Sequence, residues 1–381
     1  MIVLNEYSSG NFRSSGLGYT QFFPNQINDE WVWQDPVINQ LLQEAAVKLG
    51  ELNAYARLVP NVDLFIQLHV TKEAVTSSRI EGTQTGFDEA LLPEEEIMPS
   101  RLADWREVQN YSHALNYALD KVKELPISSR LLRDTHRLLL DSVRGQEKQP
   151  GTFRTSQNWI GGASLSDATF VPPPHGEVNS LMGDLEHFLH NTEINVPELV
   201  RAAIAHYQFE TIHPFLDGNG RIGRLLITLY LVEERILDKP LLYLSSYFAN
   251  NKNLYYDNLT RVRTHSDMKQ WLRYFLVGVR DTASQAVDTL SKLIDYKQRI
   301  EETLTKNFGR RSASGQVLFQ WLLVNPVITS ISQVQELCNL SYKAANDLVK
   351  KYEDEGILVE TTNPTRSRIF VLQEYINIIR E

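Results

Sequence analysis

The chain has 381 residues, 42% hydrophobic and 22% charged, the make-up of ordinary globular protein in two or three domains. Its net charge of −9 excludes a chain built as a whole to coat nucleic acid. The one cysteine, Cys338, excludes a disulfide framework within the chain. The first residues, Met1–Glu6, lack a basic start and an apolar signal core, and Leu225 to Val232 is too short an apolar stretch to span a bilayer. A cytoplasmic protein without a membrane segment is expected.

Up to about Asp29 the sequence is rich in Gly, Ser and Asn without a clear period, and an arm lying on the body is expected. From Asp35 the pattern turns helical, with Val37, Leu41, Leu42, Ala45, Ala46 and Leu49 at three- and four-residue steps. A second helix is expected from near Asn61 to Glu81, with Leu64, Phe65, Leu68 and Val75 on its apolar face and Gly82 stopping it. Residues 83–104 read as a loop with an acidic cluster, Glu94–Glu96, and helices resume over about 105–122 and 127–143.

At Gly151 the character changes. Two short strand-like pieces, Gln157–Ile160 and Ala168–Val171, flank Gly161-Gly162 and predict a β-hairpin within about 155–171. Helices follow over about 176–190 and 197–210, the latter carrying His206 on a face with Ala202, Ala203 and Phe209, as a satisfied core histidine would be. After the string His213-Pro214-Phe215-Leu216-Asp217-Gly218-Asn219-Gly220-Arg221-Ile222-Gly223-Arg224, a long helix runs from about Gly220 to Ile236, and two or three more lead to about residue 305.

The last part differs again. Helices over Gln316–Leu323, Ser332–Leu340 and Ser341–Asp354 precede Ile357–Glu360, a turn at Asn363-Pro364, and Arg368–Leu372, which is the winged-helix order. Cys338 falls in an apolar helical pattern, as a packed core thiol does. Lys343, Lys350 and Lys351 on the third of these helices, with Arg366 and Arg368 on the wing, are the candidate DNA contacts. Yet residues 310–381 hold eight Lys/Arg against eight Asp/Glu, and Glu353-Asp354-Glu355 follows that helix directly. DNA-binding modules carry a basic excess, so protein docking or pairing of two copies is favoured over DNA. The fold class expected is mainly α with a hairpin flap and a C-terminal α+β module, divided into 1–104, 105–305 and 310–381.

The string from His213 to Arg224 carries the chemistry. Nine of its positions are of constrained type, and a chance match has odds on the order of one in a billion. Gly218 and Gly220 let the backbone approach a phosphate closely. The helix beginning near Gly220 aims free N–H groups and its positive end at that phosphate. Asn219 can cap the helix or donate to a phosphate oxygen. Asp217 lies where a carboxylate can hold a Mg²⁺ that bridges phosphates. Arg221 and Arg224, three apart, emerge from one side of the helix, and guanidinium forks suit phosphate oxygens. His213 can take a proton from an attacking hydroxyl near neutral pH.

At these residues the chain resembles the Fic family, whose pattern His-Pro-Phe-x-Asp/Glu-Gly-Asn-Gly-Arg-x-x-Arg is met at every fixed position. The resemblance covers most of residues 35–300. It implies an α-helical Fic fold and transfer of AMP from ATP to a Tyr, Thr or Ser hydroxyl of a protein. By the family's pattern His213 is the general base and Asp217 positions Mg²⁺. Asn219 and the N–H groups of Gly218, Gly220 and Gly223 cradle the inner phosphates, and Arg221 and Arg224 meet the outer ones. The related Doc kinases carry Ala-Asn-Lys at Gly218-Asn219-Gly220, which disfavours kinase chemistry. The hairpin would be a flap that holds the target protein, another molecule or the chain itself, by strand addition. Asn251 and Tyr256, in Tyr247–Tyr256, are the candidates for the adenine ring.

Ser77-Ser78-Arg79-Ile80-Glu81-Gly82 matches the family's inhibitory pattern, Ser/Thr-x-x-x-Glu-Gly/Asn. A glutamate in a last helical turn opposes the dipole, and such a broken local rule marks function. The expectation is that Ser77 and Glu81 belong to an inhibitory helix, about 61–82, and that Glu81 pairs with Arg224. Two rivals stand beside AMP transfer: removal of AMP at the same site with Glu81 orienting a water, and a transcriptional regulator with a Fic-type nucleotide sensor.

Overall fold

The structure, a computed structural model, describes residues 1–58, 62–362 and 368–380, apart from the side chains of Leu64 and Thr362. Strands β1 (Ile2–Val3), β2 (Gly10–Ser14), β3 (Thr20–Pro24) and β4 (Trp31–Val32) come first. Eleven helices follow: α1 (Pro36–Leu58), α2 (Val62–Ile80), α3 (Phe87–Ala90), α4 (Leu102–Lys121), α5 (Ser129–Leu139), α6 (Val178–His190), α7 (Glu198–Ile212), α8 (Asn219–Glu233), α9 (Ser245–Asn250), α10 (Lys252–His265) and α11 (Met268–Asn307). The chain ends with α12 (Ser312–Leu322), β5 (Val327–Ile328), α13 (Ile331–Cys338), α14 (Tyr342–Asp354), β6 (Val359–Thr362), β7 (Arg368–Val371) and α15 (Gln373–Arg380). Asn61, the side chain of Leu64, the turn at Asn363-Pro364 and Arg366 lie outside the described residues.

The chain forms two compact units. One holds residues 1–53, 76–82 and 110–284, the other 54–75, 83–109 and 285–381. The borders fall inside α1, α2, α4 and α11, or beside Gly82, so no linker composition marks them.

The core of the first unit is the pair α7 and α8. Residues 199–212 of α7 are all buried, as are nearly all of α8 up to Leu231. A helix that is apolar around most of its girth is a central one. The supports of this pair are polar as well as apolar: Trp271 donates from its indole N–H to the Ala203 carbonyl at 2.9 Å, and Thr228 donates to the Leu242 carbonyl at 2.9 Å. The N-terminal segment is not a patternless arm. β2 and β3 form a hairpin with five register pairs from Gly10↔Pro24 to Ser14↔Thr20. Gly16 and Gly18 at φ +74 and +87 make its turn possible.

The expected flap is reduced to one antiparallel bridge, Ile160↔Phe170, with N···O distances of 2.8 and 3.0 Å. Further pairing is blocked because the Gln157 amide donates to the Asn158 and Pro172 carbonyls. The turn between is tied by Asp167, whose carboxylate accepts from the Ala163 and Ser164 N–H groups at 2.9 and 2.7 Å. On the far side the Phe22 N–H of β3 donates to the Val171 carbonyl at 3.0 Å, so the N-terminal hairpin backs the flap.

In the second unit, β5, β7 and β6 form a three-stranded antiparallel sheet in that order, beside α12 to α15. Ser341 caps α14 by accepting from the Ala344 N–H at 3.3 Å. The hydroxyls of Tyr352 and Tyr375 donate to the Gly315 and Leu323 carbonyls at 2.6 and 2.9 Å. β5 and α15 were not expected; the first has two residues, and the second shows only Tyr375, Ile376 and Ile379 as an apolar face. Cys338 is half-buried rather than core, its thiol facing the Ser314 carbonyl at 3.6 Å. Lys351 pairs with Glu355 at 2.6 Å and Arg368 with Glu360 at 2.6 Å, so two of the candidate DNA contacts already have carboxylate partners. No described helix is long and apolar enough to cross a membrane.

Asp35 ties the start of α1 to α11. Its Oδ1 accepts from the Val37 and Ile38 N–H groups, and its Oδ2 takes Lys269 and Arg273, both at 2.8 Å. Burial would raise this carboxyl, but these donors outweigh it and hold it near 2. Asp35→Ala is expected to lower the unfolding free energy by roughly 2–3 kcal/mol, the partners being partly exposed. Asp35→Asn, which keeps the cap, should cost less, and urea denaturation of the two variants checks the order.

Candidate active site

The loop 213–218 joins α7 to α8, and it is held by donors aimed at its carbonyls. His213 ends α7 in the left-handed region at φ +50, ψ +61, a conformation that costs a non-glycine residue about 1 kcal/mol or more. That turn is locked from outside. Arg154 donates through Nε to the His213 carbonyl at 2.9 Å and through Nη2 to the Pro173 carbonyl at 2.6 Å. Asn158 donates to the Phe215 carbonyl at 2.7 Å. Arg154 is 2% exposed and rests on carbonyls, and burial pulls its guanidinium down to about 10.

His136 is the third clamp. Its Nδ1 accepts from the Gly151 N–H and its Nε2 donates to the Asp217 carbonyl, both at 2.9 Å, which makes it a neutral imidazole. Its ring stacks on Phe215 at 3.8 Å. Burial, then the charge of Arg221, hold it near 4.

Asn219 is the first residue of α8 rather than its cap; Gly218, at φ +74, precedes it. Its side chain is used within the loop, accepting from the Phe215 N–H at 2.8 Å and donating to the Phe215 carbonyl at 2.9 Å. What Asn219 leaves for a ligand is backbone. Gly223 does not face the loop. A β-carbon there would collide with Oε1 of Glu210 and approach Phe209, so this glycine seats α8 against α7, and its carbonyl pairs with His206 Nδ1 at 2.8 Å. His206 is fully buried, its Nε2 2.9 Å from the Tyr255 hydroxyl.

Asp217 accepts from the Gly218 N–H with Oδ1 and lies 3.6 Å from Arg221 Nη2. Its side chain is 40% exposed. A hard carboxylate oxygen at the mouth of a glycine-rich loop suits a magnesium ion that a phosphate also ligates, so the residues present fit that ion.

Arg224 is a buried charge, 1% exposed at its side chain. Its Nε donates to the Ser77 hydroxyl and its Nη2 to the Ser77 carbonyl, both at 2.9 Å; Nη2 also meets Oε1 of Glu81 at 2.7 Å. Glu81 follows α2 directly, and Lys252 steadies that helix end by donating to the Ile80 carbonyl at 2.7 Å. A β-carbon on Gly220 would collide with the same Glu81 oxygen. The Glu81 carboxylate therefore lies against the first turn of α8. Burial would raise Glu81, but Arg224 first, then Arg221 and His213, hold it below the usual carboxylate range. Burial pushes Glu210 the other way, to about 7, with the charge of Glu81 adding and Arg224 and Arg263 opposing.

His213 has no partner for Nδ1 among the described residues. Burial, then the charges of Arg263 and Arg154, hold the ring near 3, so it is neutral at pH 7 and carries a lone pair. Tyr256 is 38% exposed and feels the charges of Glu81 and Arg224, which puts it beside the site. Asn251 is exposed at the joint between α9 and α10 and donates to the Tyr247 carbonyl at 3.0 Å. The residues not singled out in the sequence are Arg154, Asn158, His136 and Lys252, which act on the loop or the end of α2 from far along the chain, and Glu210, which lies just before the loop and against Gly223. A signal existed only for Asn158, inside the Gln157–Gly162 string.

A buried loop between two central helices, with the Glu81 carboxylate at the start of the second, defines a helical domain. The chain belongs to the Fic/DOC family: residues 39–120 match the family's N-terminal domain and residues 126–231 its Fic/DOC domain. It is 38% identical over 112 residues to the protein adenylyltransferase Fic of Drosophila grimshawi, covering 29% of this chain and 21% of that one. It is 28% identical over 237 residues to the protein of the same name in Drosophila yakuba, 57% of this chain and 45% of that one. The chain thus spans less than half the length of these curated relatives. In fold it is similar to a Fic family protein of Desulfovibrio desulfuricans G20, with a TM-score of 0.56 and 22% identity over 89% of this chain and 96% of that one.

Burial holds His69 and His136 near 4 and His206 and His213 near 3, against an ordinary 6.5. These rings stay neutral in the folded protein and take up protons on unfolding below pH 6.5. The stability they lend is full above pH 6.5 and is lost as the pH falls toward 3–4, by about 1.4 kcal/mol per pH unit for each proton. Glu210 opposes them between 4.5 and 7, one proton against four. Urea unfolding at pH 7, 6 and 5 should show a steep fall in stability, and a constant value would contradict burial of the neutral rings.

Proposed function

We propose that the protein transfers AMP from ATP to a side-chain hydroxyl of a protein, and that Glu81 restrains it. The observation that carries this reading is the carboxylate of Glu81 on Arg224 and against Gly220, at the start of α8 and beside the neutral His213. An anion at a helix N-terminus with a buried guanidinium is the setting a phosphate chain needs. The names of the relatives, protein adenylyltransferases, favour AMP over phosphate as the group transferred.

In this reading the backbone N–H groups of 218–220 hold the inner phosphates, and Arg221 and Arg224 meet the outer ones. The target hydroxyl gives its proton to His213 as its oxygen attacks the α-phosphorus. The bond from that phosphorus to the bridging oxygen of the β-phosphate breaks, and diphosphate leaves. Asp217 would hold Mg²⁺, which when bound neutralises charge on the phosphates. Trp159, 40% exposed on the flap, and the backbone around it would take the target strand; the chain's own segments are candidates. Tyr256 and Asn251 would flank the adenine. While Glu81 occupies Arg224, ATP binds with its α-phosphate out of line, and misplacement of that order costs about 10²-fold in rate. The C-terminal module is read as a winged helix that docks protein, or pairs two copies, in a cytoplasmic setting.

Intact-mass spectrometry after incubation with ATP and Mg²⁺ tests the chemistry through a gain of one AMP. His213→Ala should lose transfer by roughly 10²–10⁴-fold while still binding ATP; full transfer by this variant would remove His213 from its role. Glu81→Gly should be modified roughly tenfold or more faster than wild type, and Glu81→Gly with Arg224→Ala should be inactive. A folded Glu81→Gly no faster than wild type would sink the restraint.

A further inference from the structure

Two carboxyl groups lie along the glycine side of α8, one helical turn apart. Oε1 of Glu81 occupies the space a β-carbon on Gly220 would take, and Oε1 of Glu210 the same space on Gly223. Positions three apart on a helix face have β-carbons about 5–6 Å apart, so both carboxyls stand beside the guanidinium rooted at Arg224. They differ in exposure. Glu81 follows the end of α2 with its side chain one-third exposed. Glu210 is on the buried helix α7, 6% exposed, and its Oε1 has no hydrogen-bond partner among the described residues.

We propose that Glu210 is the resident counter-charge of Arg224, a positioning residue that keeps the guanidinium aimed at the phosphate site after Glu81 has withdrawn and before nucleotide arrives. This rests on the reading that Arg224 grips a phosphate, and it concerns what holds Arg224 when neither Glu81 nor phosphate does. A lone guanidinium at this depth would be costly. An acid buried without a hydrogen bond is costly too, and an apolar residue would fill the space beside Gly223 more cheaply unless charge is needed there.

The groups facing Glu210 are Arg224 on α8, Glu81 beyond α2, Arg263 and Tyr255 on α10, and His206 and His213 on its own helix. Arg263 is engaged with the Thr211 hydroxyl at 3.2 Å and the Glu210 carbonyl at 3.1 Å, so its hydrogen bonds go elsewhere than the Glu210 carboxyl. With Glu81 in place, burial and the Glu81 charge keep Glu210 near 7, partly protonated at neutral pH. When Glu81 leaves, a like charge goes, Glu210 releases its proton to water, and Arg224 keeps one facing carboxylate.

The test is a double-mutant cycle read by thermal melting of the full chain without nucleotide at pH 7.5, with Glu81→Gln and Glu210→Gln. Each single variant leaves Arg224 one carboxyl; the double leaves none. The double variant should melt lower than the summed single effects predict by about 2–6 °C, and ATP with Mg²⁺ should recover much of that. In an Arg224→Met background the excess should vanish. Additive melting shifts, or an excess that survives Arg224→Met, would overturn the proposal. Glu210→Asp, which keeps the charge, covers the case in which Glu210→Gln does not fold: combined with Glu81→Gln it should show no excess, and an excess would overturn the proposal. In the Glu81→Gly background, Glu210→Gln should lower kcat about tenfold with KM for ATP changed less than about twofold; an equal loss of stability with no change in kcat would count against positioning. If the excess appears but Glu81 variants do not accelerate AMP transfer, the functional reading fails and this one stands; acceleration with additive melting fails this one alone.

Discussion

A guanidinium buried to 1% exposure is costly without a counter-charge, and Arg224 is met here by the carboxylate of Glu81. Arginine presents a rigid fork of donors that suits carboxylate and phosphate alike. In this structure Ser77 takes the Nε donor and part of Nη2, and Glu81 completes the set. On the reading proposed above, this carboxylate, supplied from the end of α2, stands in for a phosphate. The competition would then be local, since Glu81 Oε1 already fills the space against Gly220.

The rest of the site is built so that only this choice changes. The loop after α7 has little freedom: Arg154, Asn158 and His136 hold the carbonyls of His213, Phe215 and Asp217, and Asn219 closes the loop on Phe215 from within. Donors fixed before the ligand arrives cost no reorganisation during reaction. The strained backbone of His213 persists because these contacts over-determine it. Packing serves the same end, with glycine at 223 letting α7 and α8 approach until Glu210 lies against the helix.

What was legible in the sequence follows from where the contacts lie. The loop and the start of α8 were readable because their residues are contiguous, and the period of α2 with Gly82 after it pointed to Glu81. The pairing of Glu81 with Arg224, 143 residues apart, was expected from the family pattern and not from spacing. The clamps were not legible. Arg154 reaches His213 across 59 residues and His136 reaches Asp217 across 81, and neither carries a local signature. What the string did not reveal is that the Asn219 side chain closes the loop on Phe215 and that Gly223 admits Glu210 against α8. The borders of the two units fall inside continuous helices or beside Gly82, where no linker composition marks them.

Equilibrium binding of ATP and ADP separates this account from a purely structural role for Glu81. If Glu81 holds Arg224 away from the outermost phosphate, that phosphate adds nothing to affinity in the wild type. Calorimetric titration with ATP and ADP in Mg²⁺ should then give nearly equal dissociation constants for the wild type, and about tenfold tighter ATP than ADP for Glu81→Gly, the worth of a charge-assisted hydrogen bond. The same ATP-to-ADP ratio in both proteins would contradict it.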